Sequence, residues 1–578
     1  MIMSDYKSLY NAWLASDRVL EADKEYLRSV SNCENEIKAM FSSYMSFGTA
    51  GLRSTMSPGT ARMNIYTVAH ITQAIAQLII EEGGCEAGVA IAYDSRINSE
   101  LFAKTSASVL AANGVKVYIF DAVRPTPELS FALLDLKCIA GINITASHNP
   151  KEYNGYKVYW KDGAQLPVNH AQTVTDKAAA IDIFDDVKLT DFDEAVNNGI
   201  INIIGKEIDE RYLDAVEAQI VDKNAIKNVA DTFKVVYTPL HGAGHYLVPE
   251  VLRRVGVKNL YTVDEQMVLD GRFPTVEKPN PEYPETFALA KKLADKYASD
   301  LMIATDPDAD RVAVTARSSD GNFVTFSGNQ IGLLLIDYII SAYEENNTMP
   351  FNPFVVKSLV SSSLADKICQ AHGITIYNVL TGFKYIGEMI KLHDGKDGTY
   401  IFGFEESCGY LKGTYARDKD AVVASMLVCE MAAHYMLQGK TLCDAMDDVY
   451  AKYGYSFEKT SEIVTDGLDA KEKQERLMEA FRTNPPKAFG SAVAVKVGDL
   501  AARKFTNLQN SDIELSPFPK ADVLMFYMDN GDIIIVRPSG TEPKVKLYYL
   551  VTAENRALAV EKYEGYKSTL DAFVKETI

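Results

Sequence analysis

The sequence has no closely spaced cysteines. Its 578 residues include seven cysteines, an odd number, and no two of them form a CxxC pair. They are scattered along the chain, at Cys33, Cys85, Cys138, Cys369, Cys408, Cys429 and Cys443. A zinc site built on cysteine pairs is therefore excluded, and this usage is typical of a reducing compartment.

The sequence also lacks an excess of positive charge and a long apolar run. Its 78 acidic residues outnumber its 59 lysines and arginines, which gives a net charge of −19. Such a charge argues against nucleic acid or an anionic membrane as the main partner. The apolar stretches 331–340 and 421–437 are interrupted by charged residues, and residues 1–17 show no signal-peptide pattern. We therefore expect a soluble cytoplasmic protein whose partners are small molecules.

The order of the predicted elements indicates several domains. A chain of 578 residues is too long for one hydrophobic core. Three times, starting near residues 89, 234 and 353, an apolar strand leads through a polar loop into an amphipathic helix and a second strand. This alternation predicts three similar α/β domains with mixed or parallel sheets.

The last part of the chain follows a different pattern. After a polar helical stretch at 470–484, short apolar runs at 492–495, 532–536 and 544–551 precede a final helix that begins at 553. This order predicts a smaller α+β domain. The predicted domains span residues 1–205, 206–320, 321–460 and 461–578.

A loop with three aspartates at alternate positions gives the clearest functional signal. Asp306, Asp308 and Asp310 lie between two short apolar runs, so we expect a loop that joins two buried strands. Three carboxylates drawn together there repel one another unless a hard dication lies among them. A calcium-binding EF-hand would need Gly and Glu where this loop has Arg311 and Arg317. A metal site of another kind is indicated, with an acidic surface turn as the alternative.

A second loop, at 145–150, reads Thr-Ala-Ser-His-Asn-Pro after a short apolar run. A hydrolase nucleophile elbow would read G-x-S-x-G, which this loop does not. The side chains of adjacent residues rarely face the same way, so an acyl-transfer triad of Ser147 and His148 is not expected. A serine that carries a phosphoryl group needs a metal opposite it, which the aspartate loop could supply. A turn that merely ends the strand is the alternative.

A third loop, at 537–544, follows the apolar run 533–536. Arg537 offers a planar fork of donors, hydroxyl side chains lie close by in sequence, and Gly540 lets backbone N–H groups approach a ligand. These are the groups with which a loop holds a dianionic phosphate. A plain turn rich in Pro, Ser and Gly is the alternative.

A fourth loop, at 403–410, contains a carboxylate and a hydroxyl two residues apart, at Glu405 and Ser407. Such a pair can bond to vicinal hydroxyls of a sugar. Paired carboxylates can also indicate glycoside hydrolysis. Glu405 and Glu406, however, are adjacent on a predicted strand and point to opposite faces, so they cannot flank one bond.

Together these loops resemble those of one family, the α-D-phosphohexomutases of the phosphoglucomutase/phosphomannomutase type. The motifs that carry the resemblance are TASHNP at 145–150, DPDADR at 306–311, GFEESCGY at 403–410 and RPSGTEPK at 537–544, with FGTAGLR at 47–53 ahead of them. Their order and spacing match, and the resemblance covers nearly the whole chain. It implies a heart-shaped molecule of four domains, three similar α/β domains with mixed sheets and a smaller C-terminal α+β domain. Each domain contributes one loop to a central cleft.

The resemblance also implies a role for each matched residue. The catalytic residues that it implies are Ser147, as the phosphoserine, with His148, Arg53, Arg311 and Lys419. The ligands that it implies for Mg²⁺ are Ser147, Asp306, Asp308 and Asp310. The substrate-binding residues that it implies are Glu405, Ser407, Lys384, Arg537, Ser539, Gly540 and Thr541.

The implied reaction transfers a phosphoryl group twice. Phospho-Ser147 gives its phosphoryl group to the 6-hydroxyl of glucose 1-phosphate, and the resulting glucose 1,6-bisphosphate returns its 1-phosphate to the serine. Glucose 1,6-bisphosphate is thus both intermediate and activator. His148 and Lys419 both remain candidates for the residue that moves the hydroxyl proton. The oligomeric state expected is a monomer or a homodimer.

Three alternatives remain open from the sequence. Within the family, phosphomannomutase and phosphopentomutase activities are possible, because epimers differ by one hydroxyl and discrimination between them can be small. From another class, a metal-dependent sugar phosphatase would use a similar serine and similar carboxylates but would release free phosphate. A non-catalytic sensor of sugar phosphates is disfavoured, because Ser147 and all three aspartates are present.

Overall fold

The computed structural model describes residues 6–45, 47–48, 51–465, 469–539 and 544–578. These residues divide into two compact units. Unit 1 consists of Met1–Arg317 and Gly409–Gln438, and unit 2 consists of Ser318–Cys408 and Gly439–Ile578. The segment 409–438 thus lies within the predicted third domain but packs in unit 1.

The elements are numbered in chain order. Residues 6–204 form α1 (Tyr6–Ala15), α2 (Glu21–Ser29), α3 (Glu34–Phe41), β1 (Leu52–Thr55), α4 (Ile65–Glu81), β2 (Val89–Tyr93), α5 (Ser99–Ala112), β3 (Val117–Phe120), α6 (Thr126–Asp135), β4 (Ala140–Ile144), β5 (Tyr153–Trp160), α7 (Val168–Ala180), α8 (Phe192–Asn197) and β6 (Ile201–Ile204). Residues 206–317 form α9 (Lys206–Glu217), α10 (Ala225–Val229), β7 (Lys234–Thr238), α11 (Gly244–Arg254), β8 (Asn259–Thr262), α12 (Asp264–Met267), a 3₁₀ helix (Pro284–Phe287), α13 (Ala288–Tyr297), β9 (Leu301–Thr305) and β10 (Val312–Arg317).

The rest of the chain continues this numbering. Residues 323–453 form β11 (Phe323–Thr325), α14 (Gly328–Glu345), β12 (Pro353–Ser358), α15 (Leu364–Ala371), β13 (Thr375–Val379), α16 (Phe383–His393), β14 (Thr399–Glu405), β15 (Gly409–Leu411), α17 (Ala421–Leu437) and α18 (Leu442–Tyr453). Residues 455–577 form β16 (Tyr455–Val464), α19 (Ala470–Thr483), β17 (Ala488–Phe489), β18 (Ala492–Asp499), β19 (Lys504–Asn507), β20 (Ile513–Leu515), β21 (Leu524–Met528), β22 (Ile533–Pro538), β23 (Lys544–Ala553) and α20 (Arg556–Thr577).

Unit 1 contains two mixed sheets. The first has the strand order β1-β5-β4-β2-β3-β6, with β4, β2, β3 and β6 parallel and β5 antiparallel to β4. In the second, β8, β7 and β9 are parallel, and β10 returns antiparallel to β9. The strands β2, β4 and β9 are buried throughout, because helices cover both faces of a parallel sheet. The catalytic loops predicted for this unit leave the ends of β4 and β9.

Unit 2 contains a parallel sheet and an antiparallel one. In the first, β12 lies between β13 and β14 and is parallel to both. The second has the order β16-β23-β22-β21-β18-β19-β20, and each strand in this order is antiparallel to its neighbours. The helices α19 and α20 contribute Leu477, Phe481 and Tyr566 to the core on one face of this sheet. The fourth domain is therefore the sheet-rich α+β domain that the sequence predicted.

Most predicted elements are confirmed within a few residues. The predicted strands at 89–93 and 301–305 are β2 and β9, and the predicted final helix is α20. No elements were predicted for residues 6–41, where the structure has α1, α2 and α3. The positions of the domain boundaries stay predictions.

Among the described residues, no single helix is both long and apolar enough to cross a membrane. One pair of helices separated by a short break, α17 and α18, passes that test of length and composition only when the two are taken together.

The N-terminal helices pack on the first domain through an aromatic cluster. The Trp13 side chain, 1% exposed, makes edge-to-face contacts with Phe41, Tyr66 and Phe184. Tyr66 lies in α4, so this cluster joins α1 and α3 to a helix of the first domain. Edge-to-face aromatic pairs add to the free energy that area burial alone supplies.

We expect Trp13→Ala to lower the free energy of unfolding of this region by about 3–5 kcal/mol, because it opens a large cavity among buried rings. Urea denaturation followed by circular dichroism measures the change, since the chain has only two tryptophans and the mutation removes one fluorophore. Trp13→Phe is the control and should cost far less. An unchanged denaturation midpoint for Trp13→Ala would show that the N-terminal helices are not anchored by this side chain.

Candidate active site

Unit 1 brings the predicted phosphoserine and the aspartate loop together. The Ser147 hydroxyl donates a hydrogen bond to Asp306 Oδ2 at 2.8 Å, although the two residues are 159 positions apart. Asp306, Asp308 and Asp310 are all buried, and one ligand atom from each lies within 4.8 Å of the others. The loop therefore is not an acidic surface turn, and the 145–150 loop is more than a strand terminator.

The backbone of the aspartate loop is held by the N-terminal ends of three helices. Consecutive loop carbonyls accept N–H groups from the N-cap of α11 and from the first residues of α6 and α17. The pairs are Ala243 with Pro307 at 2.7 Å, Thr126 with Asp308 at 2.9 Å, and Ala421 with Ala309 at 3.1 Å. Because a helix N-terminus carries partial positive charge, all three helix ends stabilise the nearby carboxylates.

Two carboxylate oxygens of the loop are left for an ion. Asp306 Oδ1 accepts the backbone N–H groups of Asp310 at 3.1 Å and Arg311 at 3.0 Å. By contrast, the buried Asp308 Oδ1 and Asp310 Oδ1 accept no hydrogen bond from any part of the chain that the structure describes. Buried carboxylate oxygens without a hydrogen bond are costly unless a cation lies near them, as Arg311 Nε does at 3.8 Å from Asp310 Oδ1. Oxygen ligands of this kind fit a hard dication.

The charges of the loop perturb the pKa values of its carboxyl groups. Burial, and then repulsion by Asp308 and Asp310, raises the pKa of Asp306 well above its ordinary value. Burial would likewise raise the pKa of Asp308, but Lys157 outweighs it and the pKa is lowered. In the same way, burial and Asp308 raise the pKa of Asp310, whereas Lys419 and Lys157 lower it, with a net decrease. The three carboxyl groups therefore do not titrate alike, because the lysines lie against Asp308 and Asp310 and not against Asp306.

Lys157, on β5, belongs to the site although sequence analysis did not select it. Its ammonium group lies 2.8 Å from Asp308 Oδ2 and 3.4 Å from Asp310 Oδ2. Burial lowers the pKa of Lys157, but the carboxylates of Asp308 and Asp310 raise it by more. The net shift is upward, so the lysine is charged. A lysine among buried residues of a strand is uncommon unless it is paired. The position of Lys157 between Tyr156 and Val158 could therefore have indicated a partner for it.

The loop that carries Ser147 is fixed by an aspartate and an arginine that follow β2. Thr145 Oγ1 accepts the N–H of Ser147 at 2.8 Å and donates to Asp94 Oδ2 at 2.7 Å. The buried Arg96 guanidinium donates to four loop carbonyls. The acceptors are Ser147 at 2.5 Å, Asn149 at 2.5 Å, Pro150 at 2.9 Å and Tyr153 at 3.1 Å. Asp94, 3.3 Å from Arg96 Nε, offsets the buried charge.

One expectation about this loop was wrong. Ser147 and His148 were expected to face apart, yet His148 Nδ1 lies 3.1 Å from Ser147 Oγ. The reason is local: Ser147 has φ of 52°, a left-handed conformation that brings the next side chain round to the same side. Burial, and then the guanidinium groups of Arg311 and Arg53, holds the pKa of His148 well below its ordinary value. The imidazole is therefore neutral.

The remaining predicted catalytic residues also lie in unit 1. Arg53 donates to Asn149 Oδ1 at 3.0 Å, so it contacts the serine loop. Arg311 pairs with Glu282 at 2.6 Å. Lys419 lies 3.2 Å from Asp310 and 3.1 Å from Asp418. Of these cations, Lys419 and Arg311 contact Asp310, Arg311 through Nε at 3.8 Å, whereas Arg53 contacts the serine loop.

The predicted sugar-binding residues lie in unit 2. Glu405 Oε1 accepts the N–H of Gly382 at 2.7 Å, which joins the end of β14 to the N-cap of α16. Glu406 Oε2 instead accepts from the Ser358 hydroxyl at 2.9 Å. The two glutamates therefore have different partners, as expected for adjacent residues that point apart. The structure also describes Ser407, whose side chain is partly exposed at the end of this loop.

The other predicted substrate-binding residues of unit 2 are described only in part. The buried Lys384 Nζ has no hydrogen-bond partner among the described residues, and burial lowers its pKa. Arg537 lies near the end of β22. Its charge lowers the pKa of Tyr548, but burial and Glu406 raise that pKa by more. Ser539 is joined through its backbone N–H to Lys544 O at 2.8 Å. Gly540 and Thr541 lie outside the described residues.

Comparison with known proteins identifies the family. Its four domain profiles match in order. The α/β/α domains I, II and III of phosphoglucomutase/phosphomannomutase match residues 44–183, 210–319 and 327–453, and the C-terminal domain matches 486–562. The chain belongs to the phosphoglucomutase/phosphomannomutase family. The N-terminal helices α1–α3 precede the matched part.

Individual relatives agree with this assignment. The phosphoglucomutase of Staphylococcus saprophyticus is 36% identical over 534 residues, which cover 92% of this chain and 95% of the relative. A solved structure of a phosphomannomutase from Thermus thermophilus, described as putative, has a TM-score of 0.67 at 22% identity and covers 92% of this chain and 99% of its own. The parafusin phosphoglucomutase of Paramecium, in an open form, also has a TM-score of 0.67, at 16% identity, with 92% and 95% covered. The chain is thus a phosphotransferring mutase of carbohydrate metabolism.

We expect Arg96→Lys to reduce the mutase turnover number by about 10²-fold, because a lysine cannot donate to four carbonyls at once and a shift of the loop by about 1 Å displaces Ser147. Steady-state kinetics of the purified variant measures the effect. Arg28→Lys is the matched control, since Arg28 pairs with Glu21 on the surface of α2. Full turnover by Arg96→Lys would show that other contacts suffice to hold the loop.

Proposed function

We propose that this chain interconverts α-D-glucose 1-phosphate and glucose 6-phosphate through phospho-Ser147 and a glucose 1,6-bisphosphate intermediate. The observation that carries the proposal is the 2.8 Å hydrogen bond between the Ser147 hydroxyl and a buried aspartate loop in which two carboxylate oxygens accept no hydrogen bond from the described residues. A phosphoryl carrier must face a concentrated positive charge, and only a bound cation can turn this acidic loop into one. The names of the relatives support glucose as the sugar.

Magnesium is the ion that we propose for this loop. Asp306, Asp308, Asp310 and Ser147 would hold it, because they offer hard oxygen atoms, two of which accept no hydrogen bond from the described residues. When bound, Mg²⁺ would neutralise charge on the oxygens of the transferring phosphoryl group. The Lys157 and Lys419 ammonium groups complete this neutralisation from the protein side.

We assign proton movement to His148. Its imidazole is neutral and lies against the Ser147 hydroxyl, so it can accept a proton from a hydroxyl that approaches the same phosphoryl group. Lys419 is less suited, because its ammonium group is paired with two carboxylates, Asp310 and Asp418, which favour the charged form. Lys419 would then act as a fixed cation rather than as a base.

The residues of unit 2 keep the roles that the family resemblance gives them. Glu405 and Ser407 would bind sugar hydroxyls, and Lys384 would contact the substrate. The residues that would bind the phosphate that does not react are Arg537, Ser539, Gly540 and Thr541. The ammonium group of Lys384 supports its contact with the substrate, because it is buried without a hydrogen-bond partner among the described residues and lies over the Tyr385 ring, 5.1 Å from its centroid, so an anion can still bind it. The predicted cytoplasmic location follows from the same proposal, since its substrates are phosphorylated intermediates of metabolism.

Ser147→Ala tests the phosphoserine directly. We expect at least a ~10³-fold loss of turnover, because the variant has no group to carry the phosphoryl moiety between two positions of the sugar. The assay contains glucose 1-phosphate, Mg²⁺ and catalytic glucose 1,6-bisphosphate, and follows glucose 6-phosphate and free phosphate together. Ser147→Thr is the companion variant, since it retains a hydroxyl.

Two results would contradict the proposal. Near-normal turnover by Ser147→Ala would exclude the serine as the carrier. Release of one free phosphate per sugar by the wild-type chain would instead indicate a metal-dependent phosphatase, which needs no bisphosphate.

A further inference from the structure

The two oxygens of the Asp308 carboxylate have unlike surroundings. Oδ2 accepts hydrogen bonds from the Thr126 hydroxyl at 2.8 Å and from Lys157 Nζ at 2.8 Å. Oδ1 is buried and accepts none from the described residues. One oxygen is therefore turned towards the protein and occupied, and the other is left for a ligand.

Thr126 is itself fixed by a second buried side chain. Asn143, on β4, donates its amide N–H to Thr126 Oγ1 at 2.6 Å, and both residues are completely buried. A hydroxyl has one proton and two lone pairs. Because Asn143 occupies a lone pair, the single proton of Thr126 is directed at Asp308.

The backbone gives the same residue a second hold on Asp308. The N–H of Thr126 donates to the Asp308 carbonyl at 2.9 Å, so one residue contacts both the main chain and the side chain of the aspartate. Thr126 begins α6, a helix of the first domain, whereas Asp308 belongs to the second. The orientation of this carboxylate is thus set by a rigid element outside its own loop.

Lys157 alone would not fix the carboxylate plane in this way. Its ammonium group lies between Asp308 and Asp310 and acts as a compact charge on a four-carbon stem with rotatable donors. The Thr126 hydroxyl is directional, and its β-branched side chain is restricted in χ1. Thr126 is therefore the group that distinguishes one oxygen from the other.

We propose that Thr126, fixed by Asn143, is a positioning residue that makes Asp308 bind the ion through one oxygen and thereby selects magnesium over calcium. Magnesium requires near-octahedral geometry with short bonds, whereas calcium accepts a carboxylate through both oxygens at longer range. With Oδ2 occupied, the two-oxygen mode is closed. The inference deepens the proposed function and rests on the metal site proposed there.

Thr126→Val tests the inference with little change of shape. We expect Mg²⁺ affinity to fall by about 10- to 100-fold, as is usual when a residue that orients a metal ligand is lost. Ca²⁺ affinity should fall much less, so that the ratio of the two affinities drops by at least ~5-fold. Isothermal titration of the full-length chain with each metal chloride measures both constants without relying on activity.

Thr126→Ser and Asn143→Leu sharpen the test. Thr126→Ser retains the hydroxyl and should bind Mg²⁺ within about 3-fold of the wild type, against the 10-fold or larger loss expected for valine. As a single variant, Asn143→Leu should weaken Mg²⁺ binding. In the Thr126→Val background it should add little, because both side chains act through the hydrogen bond from Thr126 to Asp308. If Thr126→Val does not fold, Asn143→Leu with Thr126→Ser carries the test.

Two controls separate this inference from the proposed metal site. Thr60→Val removes another fully buried hydroxyl, which donates to the Ser43 carbonyl, and should leave both metal affinities unchanged. Asp308→Asn should abolish binding at this site. If the wild type binds neither ion, or if Asp308→Asn binds as well as wild type, the metal site itself fails. If those controls succeed while Thr126→Val keeps its Mg²⁺ to Ca²⁺ ratio, the role of Thr126 is overturned.

Discussion

Three carboxylates are buried around one serine hydroxyl, and their mutual repulsion constrains the surrounding structure. Two unit charges 4 Å apart interact by about 4 kcal/mol at an effective dielectric constant of about 20, so three such charges cannot be buried without compensation. The protein supplies part of it through three helix N-termini and two lysines. That compensation still leaves the pKa of Asp306 well above its ordinary value. The dication proposed for this loop would complete it.

The helices that stabilise the aspartate loop come from distant parts of the chain. α6 belongs to the first domain, α11 to the second, and α17 to the segment 409–438, which returns to unit 1 after the chain has entered unit 2. This return also brings Lys419 next to Asp310. All the groups proposed for phosphoryl transfer therefore lie in one compact unit. A loop held by three independent elements loses little freedom when an ion or a phosphoryl group binds.

The sequence predicts the chemistry of the site better than its geometry. The aspartate loop and the serine loop are readable because each is a short run whose residue types have few other uses in combination. The neighbours Lys157, Arg96 and Thr126 are not readable, since each acts on a residue tens to hundreds of positions away and only the fold makes them adjacent. The prediction that His148 faces away from Ser147 failed for a different reason. It depends on one left-handed φ angle at Ser147, a conformation that a non-glycine residue adopts only when its surroundings impose it.

In the fold, too, elements with a strong local pattern could be predicted and elements that depend on tertiary contacts could not. Buried parallel strands such as β2 and β9 are continuous apolar runs and were located within a residue or two, whereas the helices α1–α3 were missed. Those helices are stabilised by tertiary contacts of Trp13 and Phe41 rather than by a strong local pattern. The same distinction applies at the ion site. A pattern of carboxylates can indicate that a cation binds, but which cation it prefers depends on whether each carboxylate offers one oxygen or two. That choice is made by groups such as Thr126 and Asn143, whose contribution is a direction of a hydrogen bond and therefore leaves no trace in composition or spacing.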